Sequence, residues 1–208
     1  MTRLAPIQHE WRPKDLVGGH PALNFANTVS GWGTDYEDWL TDYAGLARWA
    51  QVSRLIGADE HRQATRMAAV NPAAAERVYA EMAELRLAFI RTLHAILERR
   101  NTTAADVATI DRWVKTSAMA FELQESAGAF FNEWKASVSA LEKPLLSAGG
   151  VIGRFLFDAD FKKLKLCALP TCGWLFIDVS KNSRRRWCDM SVCGNLAKAR
   201  RFQARRRV

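Results

Sequence analysis

Cys167-Ala-Leu-Pro-Thr-Cys172, fifteen further residues, then Cys188-Asp-Met-Ser-Val-Cys193: these two pairs hold every cysteine of the 208-residue chain. Each pair is spaced C-x4-C. A short turn carrying two thiolates supplies half of a tetrahedral metal site, and two such turns supply all of it. The sequence therefore predicts one Zn2+ held by Cys167, Cys172, Cys188 and Cys193. Its role would be structural, since four thiolates fill the shell and leave no position for a reacting water. Two disulfides, or four unconnected core cysteines, are the competing readings. A reducing compartment favours the metal.

The residues around the cysteines have their own pattern. Pro170 restrains the first turn. Gly173-Trp-Leu-Phe-Ile-Asp-Val179 has strand composition, Lys181-Asn182-Ser183 reads as a turn, and 184–188 reads as the returning strand. From Gly194 to Arg207 the composition is helical. Knuckle, hairpin, knuckle and helix make a treble-clef-like plan, with the last ligand at a helix N-terminus whose dipole favours thiolate. At about 100° per residue, Cys193, Leu196, Ala197 and Ala204 share the side expected to face the metal. Lys198, Arg201 and Arg205 share the other. Lys181, Arg184, Arg185 and Arg186 lie on the hairpin nearby. These seven cations form the predicted nucleic-acid surface, because a cationic stripe free of acid can follow phosphates.

Upstream, the apolar periodicity is helical. Thr41 or Asp42 can cap a helix carrying Leu46, Trp49 and Ala50. Further helices are predicted over 59–69, 72–99 and 104–117. Pro72 suits a first turn, and Val78, Met82, Leu85, Phe89, Leu93, Ile96 and Leu97 form one stripe. Residues 22–29 predict one or two helical turns, broken by Gly31-Trp32-Gly33. Residues 119–125 alternate and 129–134 are aromatic, which predicts a β-hairpin about Gly128. Two helical segments, 135–148 and 150–158, lead to the cysteines. The expected fold is mainly α with a small β-hairpin, an α+β class. It comprises a helical N-terminal domain over 1–160 and a treble-clef-like module over 161–208. No linker composition separates them, so the basic segment is expected to pack on the rest of the chain.

Charge is distributed unevenly. Residues 161–208 carry 13 Lys+Arg against 2 Asp+Glu, whereas 1–160 carry 17 against 20. A cationic end on a near-neutral body predicts an anionic polymer, most simply DNA, as partner. Residues 1–10 lack the apolar core of a secretory leader. No stretch approaches the roughly 18 apolar residues of a membrane span, so a cytoplasmic protein without a membrane partner is expected. The sequence contains no P-loop, Gly-rich dinucleotide motif, H-E-x-x-H or nucleophile elbow, and no enzymatic role is expected.

The stretch Cys172-Gly-Trp-Leu-Phe-Ile-Asp-Val-Ser180, with Arg186-Trp-Cys-Asp-Met190 and Cys193-Gly-Asn195, resembles the CGNR zinc finger. Leu23-Asn-Phe-Ala-Asn-Thr-Val29 and the segment 40–49 resemble the ABATE domain that usually precedes that finger. The resemblance spans nearly the whole chain. It implies a bacterial transcription regulator whose finger contacts DNA and whose larger domain senses a signal. One position departs from it: Leu196 stands where the name motif of the finger ends in Arg. Whatever contact that guanidinium makes is missing here, and Lys198 keeps a cation close by.

In the larger domain, His20, Asn24 and Asn27, with Thr28, form the most polar small cluster. They could line a pocket for a small-molecule effector, although such residues more often cap helices and close turns. His94 is expected to pack rather than ligate. The sequence thus points to a DNA-binding transcription regulator with a structural zinc module and a domain for sensing or homo-oligomerisation. The alternative is a zinc-dependent adaptor that docks on an acidic protein.

Overall fold

A computed structural model describes residues 5–6, 9–32 and 36–206. Gly33 of the predicted breaking turn and Arg207 of the predicted terminal helix lie outside the described residues. The elements are β1 (Ala5–Pro6), α1 (Pro21–Ala26), β2 (Val29–Ser30), β3 (Glu37–Asp38), α2 (Tyr43–Val52), α3 (Ala58–Val70) and α4 (Pro72–Leu97). They continue with α5 (Ala104–Met119), β4 (Phe121–Ser126), β5 (Ala129–Trp134), α6 (Lys143–Asp158), β6 (Leu164–Leu166), β7 (Leu175–Ile177) and α7 (Asn195–Arg205). The class is α+β, mainly helical, with three small sheets among the described residues. No described helix is long and apolar enough to cross a membrane. The chain folds as two compact units, Met1–Thr41 with Asp160–Val208, and Asp42–Ala159.

In the unit 42–159 the helices begin where capping side chains meet orphan backbone donors. Asp42 accepts from Gly45 N at 2.7 Å, Asn71 from Ala74 N at 3.0 Å and Thr103 from Asp106 N at 3.1 Å. Helices α2, α4, α5 and α6 enclose the core, with Leu46, Trp49, Met82, Leu85, Phe89, Leu145, Ile152 and Phe155 buried. Phe89 and Phe155 meet edge to face at 6.0 Å.

The two helices expected over 135–148 and 150–158 are one, α6, preceded by turns. Gly149-Gly150 does not break it, because the missing Cβ atoms let α6 approach α5. A Cβ on Gly149 would lie 2.7 Å from the carbonyl oxygen of Trp113, and one on Gly153 2.8 Å from Val114 Cγ1. Each glycine costs the helix about 1 kcal/mol, and close packing offsets it. The hairpin about Gly128 forms as the sequence predicts. Its register runs from Phe121↔Trp134 to Ser126↔Ala129. The two-residue loop has φ of 51° at Ala127 and 79° at Gly128, the type I′ geometry whose twist matches the flanking strands.

In the other unit, β3 lies between β1 and β2, parallel to the first and antiparallel to the second. Strand β7 pairs antiparallel with β6, from Leu164↔Ile177 to Leu166↔Leu175. This corrects the expected pairing of 173–179 with 184–188. The strand partner lies upstream, so the first cysteine pair sits at the tip of the β6–β7 hairpin. Residues 184–188 stay outside the ladder because other groups take their backbone. Arg185 N donates to the Asp178 carboxylate at 3.0 Å, Lys165 Nζ donates to Arg185 O at 3.4 Å, and Ala168 N donates to Arg186 O at 2.8 Å.

The N-terminal segment belongs to the same unit as the cysteines. Gly31 N donates to Cys172 O at 2.8 Å and Ile177 N to Gly18 O at 3.0 Å. The compact unit that holds the cysteine module takes in residues up to 41 as well as those from 160 onward.

Candidate metal centre

The four sulfur atoms lie within 4.8 Å of one another. Cys172 Sγ and Cys188 Sγ are 3.6 Å apart, as are Cys188 Sγ and Cys193 Sγ. A disulfide bond is about 2.05 Å long, and all four cysteines are free. A metal–sulfur bond of about 2.3 Å sets the sulfurs of a tetrahedron about 3.8 Å apart. The observed spacing fits that figure. Cys167, Cys172, Cys188 and Cys193 are 5, 9, 1 and 6% exposed. Four converging buried thiols fit a metal ion and do not form bridges.

Backbone geometry builds the cluster. Cys172 N donates to Leu169 O at 2.9 Å, closing the first turn around Pro170. The backbone N–H groups of Leu169 and Cys188 point at Cys167 Sγ, and that of Trp174 at Cys172 Sγ. Amides aimed at sulfur favour thiolate. Gly173 is required where it stands: its φ is 70°, and a Cβ there would fall 2.4 Å from Trp32 N. Asp189 caps the second turn, accepting from Ser191 N at 2.6 Å and Val192 N at 3.3 Å. The next five residues, Met190–Gly194, form a π-helical turn that carries Cys193 into the cluster.

Among themselves the thiols share protons. Hydrogen bonds from the thiols of Cys172 and then Cys188 pull Cys167 toward thiolate. The hydrogen bond to Cys167 pushes Cys172 and Cys188 up, and burial pushes Cys193 up. A divalent cation removes that mutual repulsion, so metal binding and thiol ionisation are one event.

Around this cluster, Leu169 and Phe176 complete a small core on which Val17, Trp174, Trp187 and Ala197 pack. Two side chains that the sequence reading did not single out hold the loop between the cysteine pairs. Asp178, 1% exposed, accepts from Lys165 Nζ at 2.6 Å, Ser180 N at 2.9 Å and Arg185 N at 3.0 Å. The Lys165 hydrogen bond, followed by that of Ser180, holds its carboxyl well below the usual carboxylate range. The signal was present in composition. Asp178 and Asp189 are the two acids of the basic segment, and both are used to fix backbone.

The predicted cations separate into two groups. Arg185 turns inward. Its Nε donates to Trp187 O at 3.0 Å, and its guanidinium also donates to Val17 O at 3.1 Å and to Cys188 O. It lies 4.3 Å over the Phe176 ring. Lys181, Arg184, Arg186, Lys198, Arg201 and Arg205 are exposed, and none of them has an acidic partner among the described residues. Arg200 and Arg206 join them. On α7 no residue is fully buried, and Ala197 supplies the packed side. Leu196, expected on the metal side, is 43% exposed. The π-helical turn before it changes the angle per residue, so a 3.6-residue count begun at Cys193 loses phase.

The polar cluster of the N-terminal segment is structural in placement. His20 Nδ1 accepts from Ala22 N at 3.1 Å and caps α1. Asn24 Oδ1 accepts from Gly18 N at 2.9 Å. Asn27 donates to Leu175 O at 2.9 Å and accepts from Leu175 N at 2.8 Å. It thus pairs with β7 as a strand residue would, and ties α1 to the cysteine module.

Two family models match the chain. The ABATE model, described as "Putative stress-induced transcription regulator", covers residues 19–158. The CGNR zinc finger model covers residues 163–206 and includes all four cysteines. No curated protein matches the chain.

Proposed function

The chain belongs to the ABATE family and carries a CGNR zinc finger, and from that premise we propose that it is a transcription regulator that binds duplex DNA through this finger. The ion is Zn2+, the usual occupant of a tetrahedral four-thiolate set. Cys167, Cys172, Cys188 and Cys193 hold it, and it supplies the cohesion that a module of this size cannot build from its own core. No reaction is assigned to it, because four thiolates complete its coordination. The observation that supports DNA as partner is the set of exposed, acid-free cations on α7 and the 181–186 loop. Arg185 is left out of that set, since carbonyl oxygens and an aromatic face already occupy it.

The test is the salt dependence of binding to duplex DNA. Six cations on phosphates predict a slope of log K against log salt of about −5, and a loss of about 10^3 in affinity between 50 and 200 mM salt. Replacing Arg201 and Arg205 by Ala should flatten the slope by about 2 and weaken all sequences alike. A slope near zero for the zinc-loaded protein would count against DNA binding. The adaptor reading has one observation in its favour: Val192 and Phe202 are 63 and 62% exposed close to the cations. A zinc-loaded protein that ignores DNA but retains an acidic protein partner would support it instead.

A further inference from the structure

In the unit 42–159, a cavity of about 530 Å3 opens between the β4–β5 hairpin and the helices α5 and α6. That size lies within the range of small-molecule sites. Phe121, Trp134, Val114 and Val151 supply apolar wall. Gly150 lines it as well, and keeps space open beside Ser117 Oγ, which a Cβ there would approach to 2.7 Å. The polar side of the wall has one sign. Arg54 and Arg154 both line the cavity, and no Asp or Glu does. Both are exposed. Several other basic side chains of this unit are ion-paired, Arg91 with Asp106, Arg112 with Glu84, Lys115 with Asp111 and Lys143 with Glu60. Arg54 and Arg154 have no acidic partner among the described residues. Arg54 is fixed in place by the turn that closes α2, where it adopts φ of 57° and Leu55 N donates to Ala50 O at 2.9 Å.

We infer that this cavity binds a small organic acid, a single carboxylate on a flat apolar body, as the effector of the larger unit. The carboxylate lies at the rim between Arg54 and Arg154, where a guanidinium presents two parallel donors to two oxygens. The apolar body enters against Phe121 and Trp134. Two uncompensated cations disfavour an amine of the same shape, and a neutral amide offers them a single acceptor oxygen and no opposite charge. This site is separate from His20, Asn24 and Asn27. It also stands independently of DNA binding, since its test contains no nucleic acid.

The test is calorimetric titration of the full, zinc-loaded chain with 2-naphthoate, 2-naphthamide and 2-naphthylmethylamine, with octanoate as a second acid. Naphthoate is expected to bind about tenfold more tightly than the amide, and the amine no more tightly than the amide. The double variant Arg54→Met, Arg154→Met changes exposed side chains only. It should unfold at the wild-type temperature and bring acid and amide to within about twofold of each other. The inference is overturned if neither naphthoate nor octanoate binds at millimolar concentration, if acid and amide bind alike, if the amine binds best, or if the preference for acid survives in the double variant.

Discussion

Replacing Arg185 by Ala separates two readings of the run Arg184-Arg185-Arg186. In sequence the three arginines are equivalent cations. In the structure Arg185 donates to the carbonyl oxygens of Val17, Trp187 and Cys188 and covers the face of Phe176. A hydrogen bond from a charged donor contributes about 1.5–3 kcal/mol net, and a partly desolvated guanidinium over a ring about 1 kcal/mol. The site is half-exposed, so water can reach some of the freed carbonyls, and the full sum does not apply. A loss of about 3 kcal/mol is the reasonable figure. Because the finger's fold and its metal form one equilibrium, this loss should appear as metal affinity about 10^2 weaker, at about 1.4 kcal/mol per tenfold.

Competition with a chromophoric chelator measures that affinity directly. Arg184→Ala and Arg186→Ala serve as the comparison. Each should hold metal as the wild type does, and each should reduce the salt slope of DNA binding by about 1. The reasoning is refuted if Arg185→Ala keeps its metal affinity within about threefold of wild type while losing DNA affinity in the manner of Arg184→Ala. Arg185 would then be a phosphate contact, and its internal bonds would carry no weight.

Two further outcomes are expected. Asn27→Leu removes both bonds to the backbone of Leu175 and puts an apolar side chain where water would have to enter. Two orphaned buried backbone groups cost about 3 kcal/mol together, so the variant should release metal to the chelator far sooner than wild type although no ligand has changed; unchanged retention would show that α1 and β7 are not energetically joined. His94, 5% exposed, has its pKa lowered to about 4, chiefly by burial. The native state keeps it neutral while the unfolded chain protonates it below about 6.5, so its contribution is fully present above pH 6.5 and is lost progressively as pH falls to about 4. At pH 5 the loss is about 2 kcal/mol; urea unfolding followed by helical circular dichroism should show it, and His94→Gln should show a flatter decline between pH 7 and 5, an equal slope in both proteins counting against the assignment.

Local signals in the sequence were sufficient wherever local forces decide the outcome. Asp42 is a capping residue by chemistry, and it caps α2 as the sequence predicts. Ala127-Gly128 between alternating segments gives the hairpin, and two C-x4-C turns give the cluster. What the sequence left hidden depends on partners far along the chain. Gly149-Gly150 reads as a break until α5 is beside it. Residues 184–188 read as a strand until Asp178 and Lys165 take the backbone N–H and C=O of Arg185. Asn27 reads as a polar residue near a turn, and nothing local announces that its partner is 148 positions away. Leu196 was placed by a helical count that a single π-helical turn invalidates.

Helix α7 connects these points to function. It has eleven residues, four of them cations, and no fully buried side chain. Isolated helices of fewer than about 12–15 residues are marginal in water, and like charges one turn apart weaken them further. Its order therefore comes from its first turn, where Cys193 enters the cluster, Asp189 caps the approach and Ala197 packs on the small core. Removing the ion frees that turn and with it the arrangement of Lys198, Arg201 and Arg205. Phosphates that neutralise these cations would in turn favour the ordered helix and so the closed cluster. On the proposal that this finger binds DNA, metal and nucleic acid would be thermodynamically linked through one turn of chain, each strengthening the other's binding by the same factor.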